Sequence, residues 1–334
     1  MQKIHLSGTR RPRVFTWHIH GSYLYYLSQG NYDIYIPVKE DKSEGYYGKG
    51  ETFPFGENLH VVPAEEVKNL ELDCILFQSN KNYVTDQYEI LSAEQRELPK
   101  IYLEHDPPRQ TPTDTKHVVD DPEVLLVHVT HFNRMMWDNN RTPTKVIDHG
   151  VVDPQVQYSG KLDRGIVVIN NIQKRGRRLG LDLFLELRKK VPLDLVGMGS
   201  EDLGLGEVKH GQLPEFISQY RFFFNPIRYT SLGLSILEAM MIGIPVVGLA
   251  TAELVTVIQN GVSGYIHTDP GYLGEKMKAL LEDPDLARQL GQHGQKTARE
   301  RFNIARFAKD WEDTFHAVIA AGSSKTSFRV EAEA

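Results

Sequence analysis

Short apolar runs recur along this chain, separated by polar stretches of helix-forming composition. Residues 14–18, 32–37, 59–62, 74–77, 101–103 and 124–130 read as strands, with a short helix at 23–27. A second series follows at 165–170, 193–197, 222–224, 245–247 and 262–267. In the clearest runs every position is apolar, as in Phe222-Phe223-Phe224, the pattern of a strand covered on both faces. Helical spacing fills the gaps of the second half, at 181–188, 234–241, 273–282, 284–301 and 303–320. Strand and helix in alternation predict an α/β fold with parallel sheets. Residues 39–57, charged and rich in Gly and Tyr, are expected to form a surface excursion or else a mobile loop near a cleft, and 107–122, rich in Pro, Thr and Asp, a mobile loop. The polar stretch 155–163 suits an interdomain linker.

Composition narrows the function classes. A chain of 334 residues makes about two domains. A net charge of −6 argues against a nucleic-acid surface and fits an anionic membrane poorly. Cys74 is the single cysteine, which excludes an internal disulfide and a cysteine metal cluster. His128 and His131 are three apart on a strand, point to opposite faces and cannot share an ion there, so no metal is expected. Gly197 and Gly199 begin a dinucleotide fingerprint, but Asp202 stands where its third Gly belongs. No signal-peptide core and no run of membrane-spanning length is present, so the expected location is cytoplasmic.

Candidate chemistry concentrates in the stretch 231–248. Ser231 is placed to cap the helix at 234–241, and Gly243 to end it. Ser231 and Glu238 lie seven residues apart, which on one helix puts both on one face, ~10 Å apart. The N–H groups of Leu232, Gly233 and Leu234 then lack intrahelical partners, and Gly233 lets a ligand come close. A diphosphate suits that end, and Glu238 can accept from ribose hydroxyls. Lys174, Arg175, Arg177 and Arg178 in a Gly-containing strand-to-helix loop make an anion trap or an ordinary solvated loop. His105 ends a strand before Pro107-Pro108, and His20, Gly21 and Ser22 form a tight loop after the first strand.

The segment Ser231-Leu-Gly-Leu-Ser-Ile-Leu-Glu238-Ala-Met-Met-Ile-Gly-Ile-Pro-Val-Val247 resembles the C-terminal signature of retaining GT-B glycosyltransferases, glycosyltransferase family 4 (glycosyl transferases group 1). Glu238 matches the second Glu of their E-x7-E motif, which holds the nucleotide ribose, and Ser231 is taken as the position of the first, which contacts the donor sugar. His149-Gly150-Val-Val-Asp153 resembles the family's hinge, with His149 in place of Asn. The resemblance implies two Rossmann-like domains facing a cleft: 1–155 on the acceptor side, 156–304 holding the nucleotide sugar, a crossover helix at about 305–322 returning to the first domain, and a disordered tail at 323–334. It implies His105 facing the donor sugar as the catalytic residue. For the donor diphosphate it favours Arg177 and Arg178, with Lys174 and Arg175 behind them, and it implies Gly211 and Leu213 in the base region. His20, Gly21 and Ser22 would line the cleft. The implied function is retaining, metal-independent transfer of a hexose, glucose from UDP-glucose, to a saccharide or lipid-linked acceptor, with peripheral membrane contact left open and no cofactor. The alternative is a nucleotide-sugar-binding module weakened in catalysis, for which Ser231 in place of Glu speaks.

Overall fold

The structure, a computed structural model, describes residues 10–324. Of the expected disordered tail, 323–334, all but the first two residues lie outside the described residues.

The first sheet contains β1 (Arg13–Thr16), β2 (Asp33–Val38), β3 (Leu59–Pro63), β4 (Cys74–Phe77), β5 (Lys100–Glu104), β6 (Val124–His128) and β7 (Thr144–Val146). Its helices are α1 (Gly21–Leu27), α2 (Gln87–Ile90) and α3 (His131–Met136). The second sheet contains β8 (Leu162–Val168), β9 (Leu193–Val196), β10 (Tyr220–Asn225), β11 (Val246–Leu249) and β12 (Gly264–His267). Around it lie α4 (Ile172–Arg175), α5 (Leu181–Leu187), α6 (Leu213–Ile217), α7 (Leu234–Ile242), α8 (Leu254–Val257), α9 (Pro270–Glu282) and α10 (Pro284–Arg301). A last helix, α11 (Ile304–Ser324), follows.

The strand orders are β3-β2-β1-β4-β5-β6-β7 and β12-β11-β10-β8-β9, and every pairing is parallel. Strands β4, β6, β10 and β11 are buried at every position, because helices cover both faces of each sheet. In both sheets the order reverses beside the first strand of the set, β1 or β8, and such a switch point opens a crevice at the strands' carboxyl ends. Helix α11 follows the second sheet in sequence but packs on α1 and β4 of the first. Its Trp311 and Phe315 are fully buried; Trp311 Nε1 donates to Tyr23 Oη at 3.2 Å, and Phe315 meets Tyr32 edge-on at 4.8 Å.

Several local expectations are corrected. The linker is shorter than its composition suggests, because Leu162 already pairs with Tyr220. The excursion 39–57 is anchored: Tyr46 is fully buried, Lys39 N donates to its carbonyl, and Gly45 bridges His18. The 107–122 loop is also tied down. Pro107, Pro108 and Val119 are buried, and Trp137 Nε1 donates to Asp106 O at 2.8 Å. The cationic loop folds into α4 and a 3-10 turn at Gly176–Leu179. Gly180 closes that turn with φ +81, and a Cβ there would sit 2.1 Å from the Pro226 carbonyl oxygen, so only glycine lets the turn dock.

Candidate functional site

Helix α7 begins at Leu234, not after a Ser231 cap. Gly233 is the cap residue (φ −70, ψ 130), and no side chain caps the end. Ser231 lies in a bend and is 9% exposed, and Leu232 is buried, so packing pulls both out of the helix. The unpartnered first-turn amides are therefore those of Leu234 and Ser235, since Ile236 N already bonds Gly233 O at 3.1 Å. Glu238 stands four residues past Leu234, so it lies about one turn, ~6 Å, from the helix end rather than two. Its half-buried carboxylate points to the first domain, where Tyr26 Oη on α1 donates to Oε1 at 2.7 Å.

Three histidines gather opposite that helix end. His105 follows β5 and lies with its ring 4.3 Å from His20 and 4.8 Å from Tyr23. His149 is 5.7 Å from the same Tyr23 ring. Trp311 and Phe307 on α11 hold Tyr23 from behind. His149 is 4% exposed, and both its ring nitrogens are buried without a hydrogen-bond partner. Burial pushes its pKa down to about 4. Burial also holds His105 well below the ordinary imidazole value, and the neighbouring His20 and His149 add to the effect. His20 opens into the cleft, yet desolvation by the surrounding walls lowers its pKa as well. His105 Nε2 faces Gln78 Oε1 at 3.0 Å.

The cations divide. Arg177 is exposed and paired with Asp182 at 2.6 Å, a carboxylate that also takes Arg228. Lys174 is exposed and has no protein partner among the described residues. Arg175 and Arg178 are half-buried. Desolvation lowers both pKa values, repulsion from Arg178 on Arg175 and from Arg109 on Arg178 adds to it, and the Asp106 carboxylate opposes it in both cases. The charges that face the first domain are therefore Arg175 and Arg178, joined by Arg109 from the loop after β5. Tyr229 Oη fastens that loop to the second domain by donating to Pro108 O at 2.8 Å.

Residues 203–297 match the family model of glycosyl transferases group 1. The N-acetyl-alpha-D-glucosaminyl L-malate synthase of Bacillus anthracis is 22% identical over 222 residues, 66% of this chain and 51% of that protein. Sucrose-phosphate synthase from Thermosynechococcus elongatus has the same fold, with a TM-score of 0.70 at 14% identity over 93% of this chain and 100% of that one. Anabaena HepE in complex with UDP and glucose gives 0.68 at 14% identity, over 92% and 100%.

The chain has the GT-B fold of these structures. The chain spans about half or less of the length of the curated relatives it matches, 51% and 13% in two of them. Counting within the group 1 motif corrects one assignment. Seven intervening residues before Glu238 lead back to Thr230, so Thr230 and not Ser231 occupies the place of the first Glu. Thr230 is half-buried and precedes the buried Ser231. Gly211 is exposed, in the turn before α6, and Leu213 opens that helix. Phe53 of the excursion covers this region. Its ring lies 4.6 Å from His210, and an added Cβ on Gly21 would meet it at 2.7 Å. His20, Gly21 and Ser22 thus lead into α1 beneath that ring, next to His105. Among the described residues no group of three His, Cys, Asp or Glu is placed to hold a metal ion. No described helix is long and apolar enough to cross a membrane.

Sequence reading missed Tyr26, Tyr23, Arg109 and Gln78. Gln78 carried a usable signal, because it directly follows a buried strand at the carboxyl end where α/β sheets bind ligands. The other three are ordinary in type and gain meaning only from what lies across the cleft.

Proposed function

We propose that this chain transfers a hexose, glucose in our reading, from a UDP-sugar to a saccharide acceptor with retention of anomeric configuration. The observation that carries the reading is Glu238: half-buried, on the cleft side of α7, one turn from an uncapped amide end. A carboxylate there suits the paired hydroxyls of a ribose, which would replace the Tyr26 phenol as its donors. The diphosphate then lies between the first-turn amides of α7 and Arg175, Arg178 and Arg109. Bond breaking places negative charge on that diphosphate, and fixed amides and guanidinium groups stabilise it without reorganising. The protein supplies this charge stabilisation itself, so the reaction is proposed to need no metal, and an excess of chelator leaves its rate unchanged. HepE, which shares the fold, was solved with UDP and glucose, and this supports the choice of donor.

The test is calorimetric titration of UDP into wild type and Glu238→Ala, with UDP release from UDP-glucose measured beside it. The variant is expected to bind about 1–3 kcal/mol more weakly, the value of a lost charge-assisted hydrogen bond. Unchanged affinity overturns the ribose assignment. A second reading, a nucleotide-sugar-binding module without turnover, is favoured by Thr230 where the motif has Glu. Tight UDP-glucose binding with no UDP release, alone or with saccharide acceptors, identifies it.

A further inference from the structure

We infer that Gln78 fixes His105 in the tautomer whose bare Nδ1 opens to the cleft, so that the sugar group it meets must be a hydroxyl that donates a hydrogen bond. The inference rests on the reading of this cleft as a nucleotide-sugar site and deepens it, because it selects neutral hexoses over sugars that carry a carboxylate or fluorine at that position.

Donors and acceptors form a chain around the Gln78 amide. The Trp17 carbonyl can only accept, and Gln78 Nε2 lies 3.0 Å from it. The same nitrogen lies 2.8 Å from Thr16 Oγ1. The Thr16 hydroxyl proton is already given to the Leu76 carbonyl at 2.8 Å, so Oγ1 accepts from Gln78. Turning the Gln78 amide over would set its oxygen against a carbonyl and against a hydroxyl whose proton is used. The amide orientation is therefore fixed by chemistry. Gln78 Oε1 then faces His105 Nε2 at 3.0 Å, and that contact needs a proton on Nε2. Gln78 is 5% exposed and Thr16 fully buried, so water does not compete for either. A neutral imidazole protonated at Nε2 has its lone pair at Nδ1.

Nothing supplies a second proton. The titratable side chains around the ring are His20, Tyr23 and His149, none of them an anion at neutral pH. Nδ1 has no hydrogen-bond partner among the described residues and is not among the sealed-off polar atoms, so it opens to the cleft. A lone pair there attracts a hydroxyl proton and repels a carboxylate or a carbon-bound fluorine. Gln78 touches no substrate in this reading. It is a positioning residue that acts through His105.

Nitrogen-15 NMR of histidine-labelled protein tests the tautomer directly. In wild type at neutral pH, His105 Nδ1 is expected to resonate as unprotonated and Nε2 as protonated. In Gln78→Met, which keeps the volume but removes the acceptor, both nitrogens are expected to shift toward averaged values. A protonated Nδ1 in wild type overturns the inference. The sugar selection is read from kcat/KM with UDP-glucose, UDP-glucuronate and UDP-glucoses carrying fluorine at single ring positions. Wild type should lose tenfold or more at one position and with the uronate. The Gln78→Met penalty should be several-fold smaller, since its ring can turn an N–H outward. Comparing the two proteins cancels fluorine's own effect on bond breaking. Equal penalties in both proteins overturn the selection while leaving the NMR result intact. No turnover of any UDP-sugar, with the NMR result as expected, means that the functional reading has failed and takes the selection with it.

Discussion

The Glu238 carboxylate is held by one phenol, Tyr26 Oη at 2.7 Å, across the boundary between the two sheets. If ribose hydroxyls take over this acceptor, Tyr26 is a competitor and not a ligand. Tyr26→Phe is then expected to leave UDP affinity unchanged or raise it by up to about fivefold, the ~1 kcal/mol worth of one competing hydrogen bond. A large loss in titration calorimetry would make Tyr26 a nucleotide contact. His105 is the residue for which rate and affinity should separate. His105→Ala is expected to lower kcat by about 10²-fold or more while UDP affinity stays within about threefold, since a group felt mainly in the transition state acts that way. Equal loss in both would reduce His105 to a binding role. The buried histidines also set an acid limit. Burial pushes His149 and His128 down to about 4, while in the unfolded chain they titrate near their ordinary value. Between these values the unfolded state binds more protons, so stability is full above about pH 6.5 and falls as pH drops toward 4. Each residue is expected to remove about 3 kcal/mol over that window. Urea unfolding at pH 7.5, 5.5 and 4.5 checks this, and a constant midpoint refutes it.

At the scale of elements, the start of α7 and the turn before α5 decide where charge can gather. Helix α7 is apolar almost all round: Ile236, Leu237, Ala239, Met240, Met241 and Ile242 are buried. Its ends are therefore set by packing, with Gly243 at φ +95 leaving at one end and Gly233 entering at the other. The turn Gly176–Leu179 sends Arg177 out to Asp182 and keeps Arg178 near the cleft. Its carbonyl at Arg178 accepts from Arg228 N at 2.9 Å, which fixes the turn to the segment after β10. Gly180 is the point where this docking has no tolerance. Gly180→Ala would need both a left-handed backbone and a displaced Pro226 carbonyl. It is expected to cost about 2–4 kcal/mol, in the range of strained backbone plus overpacking. Thermal unfolding measures it, and an unchanged Tm would show that the turn is free to move.

For the whole molecule, the two sheets are joined by more than the linker. Glu253, 2% exposed, accepts from Phe132 N at the start of α3 at 2.8 Å and meets Arg301 Nη2 at 3.3 Å. Arg301 in turn pairs with Asp148 at 2.7 Å. This network sits on the hinge side, while Tyr26–Glu238 and Tyr229–Pro108 close the cleft side. Removing one member of a buried network leaves the others unpaired, so Glu253→Ala is expected to cost about 3 kcal/mol. It should also broaden the distribution of distances between labels on the two domains, measured by pulsed dipolar spectroscopy. An unchanged Tm and distance distribution would reduce the network to surface charge.

The strand series, the parallel alternation and the apolar helix ending at Gly243 were all legible from residue order. They depend on periodicity and on local backbone preference, which act over a few neighbours. Residue order also misled at Ser231, where N-cap chemistry was sound but the burial of Ser231 and Leu232 overrode it. It could not choose among Lys174, Arg175, Arg177 and Arg178, because four cations in one loop look alike until a turn gives each a direction. Tyr26 against Glu238 joins residues 212 apart, and Gln78 against His105 joins residues 27 apart, at the ends of two strands that only the sheet brings together. Such pairings arise when distant segments bury the same surface, so tertiary packing alone decided which carboxylate meets a hydroxyl and which imidazole nitrogen is left bare.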